Sequence, residues 1–180
     1  MRILTLLFIL HTFLFGYNYN DMLLKAQASI FPKIMMLDKK LEEKLIDGKI
    51  VYTIVFDEED HDTALRISEF INKNYKNNFD KYSYKINLVK FTDLSIDTNA
   101  SIIYMLNSNK DIKKVADIAK QKGIITFAYD INNLKNGLLF SLMLEKSTVL
   151  YLNKENLHTQ KVDFVDSLLQ MVKFIDKGNS

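Results

Sequence analysis

Six consecutive residues, Asp57-Glu58-Glu59-Asp60-His61-Asp62, carry the densest reactive chemistry in this chain. Hard cations need several oxygen ligands, and the carboxylates at 57, 58, 60 and 62 are of the right kind. Their spacing departs from the twelve-residue calcium loop, which requires a central glycine and a late glutamate. The run reads better as a solvated loop in which Asp60 or Asp62 caps the next helix and faces its positive dipole end. His61 and His158 stand far apart without a spaced zinc motif. Other chemistries lack their residues: there is no G-x-S-x-G, no G-x-G-x-x-G, no P-loop and no cysteine. No catalytic residue, metal site or cofactor is expected.

A second set of candidates depends on position rather than type. In open α/β sheets, ligands bind beyond the carboxyl ends of the strands. Three predicted strands end at Asp57, Asn107 and Asp130, with Tyr129 beside the last. These four are candidates for the lip of a ligand site, and each also suits turn-forming or helix-capping work.

The elements that must position them alternate. Leu23, Ala26, Ile30, Ile34, Leu37, Leu41 and Leu45 recur at helical spacing, with Asp21 or Asn20 as N-cap and Pro32 expected to kink or split the helix. Residues 50–56 form a nearly continuous β-branched run, as strands buried on both faces do. A helix over 63–75, a polar connector over 73–81 and a strand over 84–91 follow. Then come a strand over 101–106, a helix over 111–122 ended by Gly123, and a strand over 124–128. Two apolar runs, 138–144 and 148–152, flank Glu145-Lys146-Ser147 as a hairpin. Asn153 should cap a short helical turn, and a final amphipathic helix is expected over 162–175. This alternation predicts a three-layer α/β sandwich: a mostly parallel sheet flanked by helices, with a C-terminal antiparallel hairpin.

Composition bounds the setting. Arg2 followed by the apolar residues 3–15 fits a signal peptide over 1–16, since such a run is too short for a membrane span of about 20 residues. The expectation is export to the periplasm, with membrane contact only through a partner or an uncleaved leader. One domain is expected over 20–176, with no linker or repeat to divide it. Without cysteine, no disulfide supports that domain. Arg66 is the one arginine outside the leader and the lysines are scattered, which argues against nucleic-acid binding.

The C-terminal third, from Gly137 through Glu145-Lys146 to Asn153 and Ser167-Leu168-Leu169, resembles the YfiR family of exported bacterial proteins. Met36-Leu37-Asp38-Lys39-Lys40-Leu41, Gly48 and the 50–56 strand fit the same pattern. Gly137, Glu145 and Asn153 would then be signature structural positions. The resemblance implies a non-enzymatic periplasmic regulator. It would bind the periplasmic domain of a membrane sensor, a diguanylate cyclase or kinase, and restrain its signalling, and so cyclic di-GMP and biofilm behaviour. It also implies a possible homodimer; without cysteines, redox sensing is not expected. Such a regulator needs an exposed apolar patch, for which Phe31, Met35, Met36, Phe140, Leu142 and Phe174 are the candidates. The alternative is a periplasmic small-solute-binding protein that serves a transporter or sensor from the strand ends.

Overall fold

The structure, a computed structural model, describes residues 17–175 apart from the side chain of His158. The expected leader, Asp176 at the predicted domain end and any role for the His158 imidazole lie outside the described residues. The α-helices are α1 (Asp21–Met35), α2 (His61–Tyr75), α3 (Lys113–Lys122), α4 (Lys154–Thr159) and α5 (Asp166–Met171). The strands are β1 (Ile50–Phe56), β2 (Asn78–Phe79), β3 (Tyr82–Lys90), β4 (Ile102–Met105), β5 (Ile125–Ala128), β6 (Phe140–Leu144), β7 (Thr148–Asn153) and β8 (Lys173–Ile175). They join in one sheet, ordered β2-β3-β1-β4-β5-β6-β7-β8. Only β2–β3 and β6–β7 pair antiparallel; the other neighbours are parallel. The predicted α/β sandwich is therefore the observed architecture.

Alternation along the strands divides the core into two faces. Ile50, Tyr52, Ile54 and Phe56 of β1 pack with Ile102, Tyr104, Ile125 and Phe127 beneath α1 and α2. Val55, Ile103, Met105 and Ala128 point the other way, onto Val115, Ala116, Ile118 and Ala119 of α3. Every residue of β1 is buried, as its unbroken β-branched run predicts for a central parallel strand.

Helix α1 is shorter than its hydrophobic period. Asn20 caps it, its Oδ1 accepting from the Leu23 amide at 3.0 Å, while Asp21 forms ion pairs with Lys25 and Arg66. Pro32 does not split it; it sits in the last turn, and α1 ends three residues later at Met35. Leu41 opens a separate 3₁₀ segment, Leu41–Lys44, which Leu45 follows as the C-cap, because Asp38 turns the chain. The Asp38 carboxylate is buried. Its Oδ1 accepts from the Asp163 and Lys40 amides at 2.9 and 3.1 Å, and its Oδ2 meets Lys44 Nζ at 2.7 Å.

The C-terminus departs most from expectation. Instead of one helix over 162–175, α5 stops at Met171 and β8 joins the sheet beside β7, with Phe174 opposite Leu152. Val172 and Phe174 fit a two-residue period and Val172 and Ile175 a helical one, and an open strand edge decides between them. The connector read as polar also holds β2, which pairs antiparallel with the start of β3.

Two of the positions expected as signatures have structural work. Gly137 closes a 3₁₀ segment at φ 101°, where a Cβ would lie 2.8 Å from the Ala116 Cβ. Asn153 is buried; its Nδ2 donates to Leu134 O at 2.6 Å and its Oδ1 caps α4 through the Asn156 amide at 3.2 Å. Glu145, at the hairpin turn, accepts from the Tyr151 hydroxyl at 2.5 Å.

Candidate ligand site at the strand ends

Helix α2 follows β1 onto one face of the sheet, whereas α3 follows β4 onto the other. The two connections therefore part between β1 and β4, which are neighbours in the sheet. Such a switch point leaves a crevice beyond the strand ends, where α/β sheets bind ligands. Asp57 leaves β1 on one side, and Asn107 follows β4 on the other. Tyr129 and Asp130 follow β5, the next strand along.

The acidic run is divided by a 3₁₀ turn, Glu58–Asp60, that turns Asp57 and Asp60 inward and leaves Glu58, Glu59 and Asp62 exposed. Asp60 occupies the N-cap position of α2 but makes no side-chain cap bond, in contrast to the expected capping role. Its Oδ2 instead accepts from the Tyr19 hydroxyl at 2.8 Å. No group of three His, Cys, Asp or Glu side chains among the described residues is placed to hold a metal ion.

Asp57 is buried, with Oδ2 accepting from Ser108 Oγ at 2.6 Å. Lys110 Nζ lies 3.4 Å from Oδ1, near enough for charge attraction but out of line for a hydrogen bond. Asn107 Oδ1 is also buried without a hydrogen-bond partner. Asp130 serves its own turn, accepting from the Asn132 amide at 2.8 Å.

The chain's own residues 17–20 cross this lip. Tyr19 accepts from the Asn107 amide at 3.1 Å, and Tyr129 accepts from the Asn20 amide at 2.8 Å. The Tyr19 and Tyr129 rings meet edge-to-face at 4.7 Å, and the Tyr17 hydroxyl donates to Asn109 Oδ1 at 2.7 Å. Burial, then the hydrogen bond to Asp60, pushes the Tyr19 phenol far above its ordinary pKa. Burial and the nearby negative charges of Asp57, Asp60, Glu59 and Asp130 raise Tyr17. Burial also raises the Asp60 carboxyl; the Tyr19 bond opposes that shift, and Glu59 and Asp57 add to it. The Tyr17 and Tyr19 phenols stay protonated, so the lip offers hydroxyls, amides, carboxylates and an aromatic wall.

Sequence reasoning therefore located Asp57, Asn107 and Tyr129 but missed Tyr19, the inward turn of Asp60, and Gln27. The signal for Gln27 was present: it is polar within the buried stripe Leu24, Ala28 and Phe31. Its Oε1 accepts from the Tyr104 hydroxyl at 2.5 Å, and its Nε2 donates to Tyr129 O and Leu142 O at 3.0 and 3.1 Å. This bridge holds the β5 end, and with it the lip, against α1.

The expected docking patch does not exist as a surface. Phe31, Met35, Phe140 and Leu142 are 0% exposed, because they are the core stripe itself; Phe31 stacks on Phe127 at 4.4 Å. Met36 is half-buried against the same core, and Phe174 alone remains exposed, at 45%. A separate cleft of about 340 Å³ opens between α3 and α4, lined by Lys113, Lys120, Lys135 and Gln160.

No family model matches this chain, and no curated protein does. Solved structures do share the fold. A conserved domain protein of Vibrio cholerae superposes with a TM-score of 0.58 at 11% identity, over 84% of this chain and 59% of that one. The ABC domain from Streptococcus pneumoniae, solved in complex with L-Trp, superposes with a TM-score of 0.52 at 11% identity, over 78% of this chain and 60% of that one. The chain thus spans about three fifths of the length of the structures it matches.

Proposed function

We propose that this chain is an exported, non-enzymatic binding domain that takes a small solute at the carboxyl ends of its central strands. The observation that carries this reading is the convergence of Asp57, Asp60, Asn107, Tyr19 and Tyr129 at the switch point between β1 and β4. The likeness to a domain solved with L-Trp supports a small organic ligand of that general size. Reporting the bound state would fall to a transporter or a membrane sensor outside the cytoplasm. The test is a thermal-shift screen of solutes followed by calorimetry on Asp57→Ala. Saturable stabilisation that disappears in the variant supports the reading; a hit that binds the variant equally well places the ligand elsewhere.

A second reading keeps the implication of the YfiR resemblance, in which the domain grips and restrains a periplasmic sensor domain, of a diguanylate cyclase or kinase. Met171 and Phe174, 67% and 45% exposed beside the edge strand β8, favour it by moving the docking surface from the buried stripe to the end of the sheet. Capture of a membrane sensor by the tagged protein, lost in Phe174→Asp, would support this reading. Capture that Phe174→Asp leaves unchanged would remove that edge from it.

A further inference from the structure

We infer that the Tyr19 phenol is a built-in occupant of the switch-point site, and that the site takes a free phenol, neutral or cationic, in its place. This rests on the reading of the strand ends as a ligand site. One atom carries the argument. The Tyr19 oxygen donates to Asp60 Oδ2 at 2.8 Å and accepts from the Asn107 amide at 3.1 Å. A carboxylate and a backbone N–H aimed at one point require a group that donates and accepts at once. A hydroxyl does both, whereas an ammonium or an indole N–H only donates and leaves the amide unpaired. Asp60 is 2% exposed, so any occupant that failed its oxygen would leave a buried carboxylate short of a donor.

The ring has its own requirements. Tyr129 meets it edge-on at 4.7 Å, a wall suited to another six-membered aromatic, while Tyr17, at 6.3 Å, belongs to the plug itself. Asp57, Glu59, Asp60 and Asp130 set negative charge about the Tyr17 phenol, and Asp60 does so at Tyr19, which disfavours phenolates and carboxylate-bearing ligands. Lys110 Nζ lies 3.4 Å from Asp57 Oδ1. Residues 17–19 lie outside every helix and strand, and the tie to α1 begins at Asn20, whose O accepts from the Leu24 amide and whose Oδ1 accepts from the Leu23 amide, both at 3.0 Å, so withdrawal of 17–19 leaves the α1 cap in place.

The test uses p-cresol, the tyrosine side chain as a free molecule, and toluene, its counterpart without the hydroxyl. In Tyr19→Ala, p-cresol should raise the unfolding temperature saturably and toluene should not. Calorimetric affinity for p-cresol should rise from the unsubstituted protein to Tyr19→Phe by about tenfold or more, because the internal competitor has lost two hydrogen bonds. Should Tyr19→Ala not fold, that comparison decides alone. Equal stabilisation by toluene, or equal p-cresol affinity in the unsubstituted protein and Tyr19→Phe, overturns the inference. A solute that binds the unsubstituted protein without regard to residue 19 also overturns the plug, while leaving the ligand-site reading standing. Cresol rescue without any natural solute would uphold the plug and sink that reading.

Discussion

Replacing Gln27 by leucine should cost about 2–4 kcal/mol, a large share of the 5–15 kcal/mol that holds a typical domain together. The figure follows from three bonds made by a side chain that is 0% exposed. Tyr104 OH loses its acceptor in a fully buried place, worth about 1–3 kcal/mol for the orphaned donor. Leu142 O and Tyr129 O each lose an amide donor, at about 0.5–1.5 kcal/mol apiece. Ser141 Oγ still reaches Tyr129 O, at 3.4 Å, and the added apolar packing of leucine offsets about 1 kcal/mol. Tyr104→Phe alone leaves Gln27 Oε1 unpaired and should cost about 1–2 kcal/mol. The double variant removes donor and acceptor together, so it should fall short of the sum of the singles by about 1–2 kcal/mol. Urea unfolding followed by far-ultraviolet circular dichroism, with m unchanged, reads all four proteins. Additivity within about 0.5 kcal/mol would show that the Gln27–Tyr104 bond contributes nothing and refute the reasoning.

Gly137→Ala should lose about 2–4 kcal/mol, since φ 101° strains any Cβ and the new methyl meets Ala116 at 2.8 Å; a urea midpoint unchanged from the parent would contradict this. Asp38→Ala should cost about 3–5 kcal/mol by stranding Lys44, whose side chain is 8% exposed, and Asp38→Ala/Lys44→Met should recover part of it in the same assay. Asp60→Asn tests linkage. Burial raises the folded Asp60 pKa, so its penalty is fully present above that pKa and is relieved as pH falls through it toward the ordinary carboxylate value. The variant should therefore gain most over the parent near neutral pH and lose that advantage in acid; a stability difference independent of pH would contradict the shift.

Much of this was legible from the chain alone. The strands β1, β4 and β5 announced themselves as short apolar runs bounded by polar residues, and the rule about strand ends then led to Asp57, Asn107 and Tyr129. What failed had identifiable causes. Phe31 and Met35 lie at helical spacing from Leu24 and Ala28, and an apolar side chain in such a stripe is core before it is surface. β8 reads equally well as helix, and only the vacant edge of β7 settles it. Asp60 and Tyr19 escaped for a different reason. Their pairing joins residues 41 apart through a local 3₁₀ turn, and no periodic pattern records which way such a turn aims a carboxylate.

The order in which the domain can be completed follows from its staples. Asp38 is tied to the Asp163 amide across 125 residues, Gln27 to Leu142 across 115, and the Asn107 amide to Tyr19 across 88. Helix α1 is thus the first of the described elements to be synthesised and among the last to find its place. Contacts so distant in sequence slow folding, because the loop entropy is lost before the contacts repay it. A nascent chain of this design cannot close its core until nearly all of it is present. That delay lengthens the interval in which the apolar strands of the sheet stay uncovered and open to pairing with other chains.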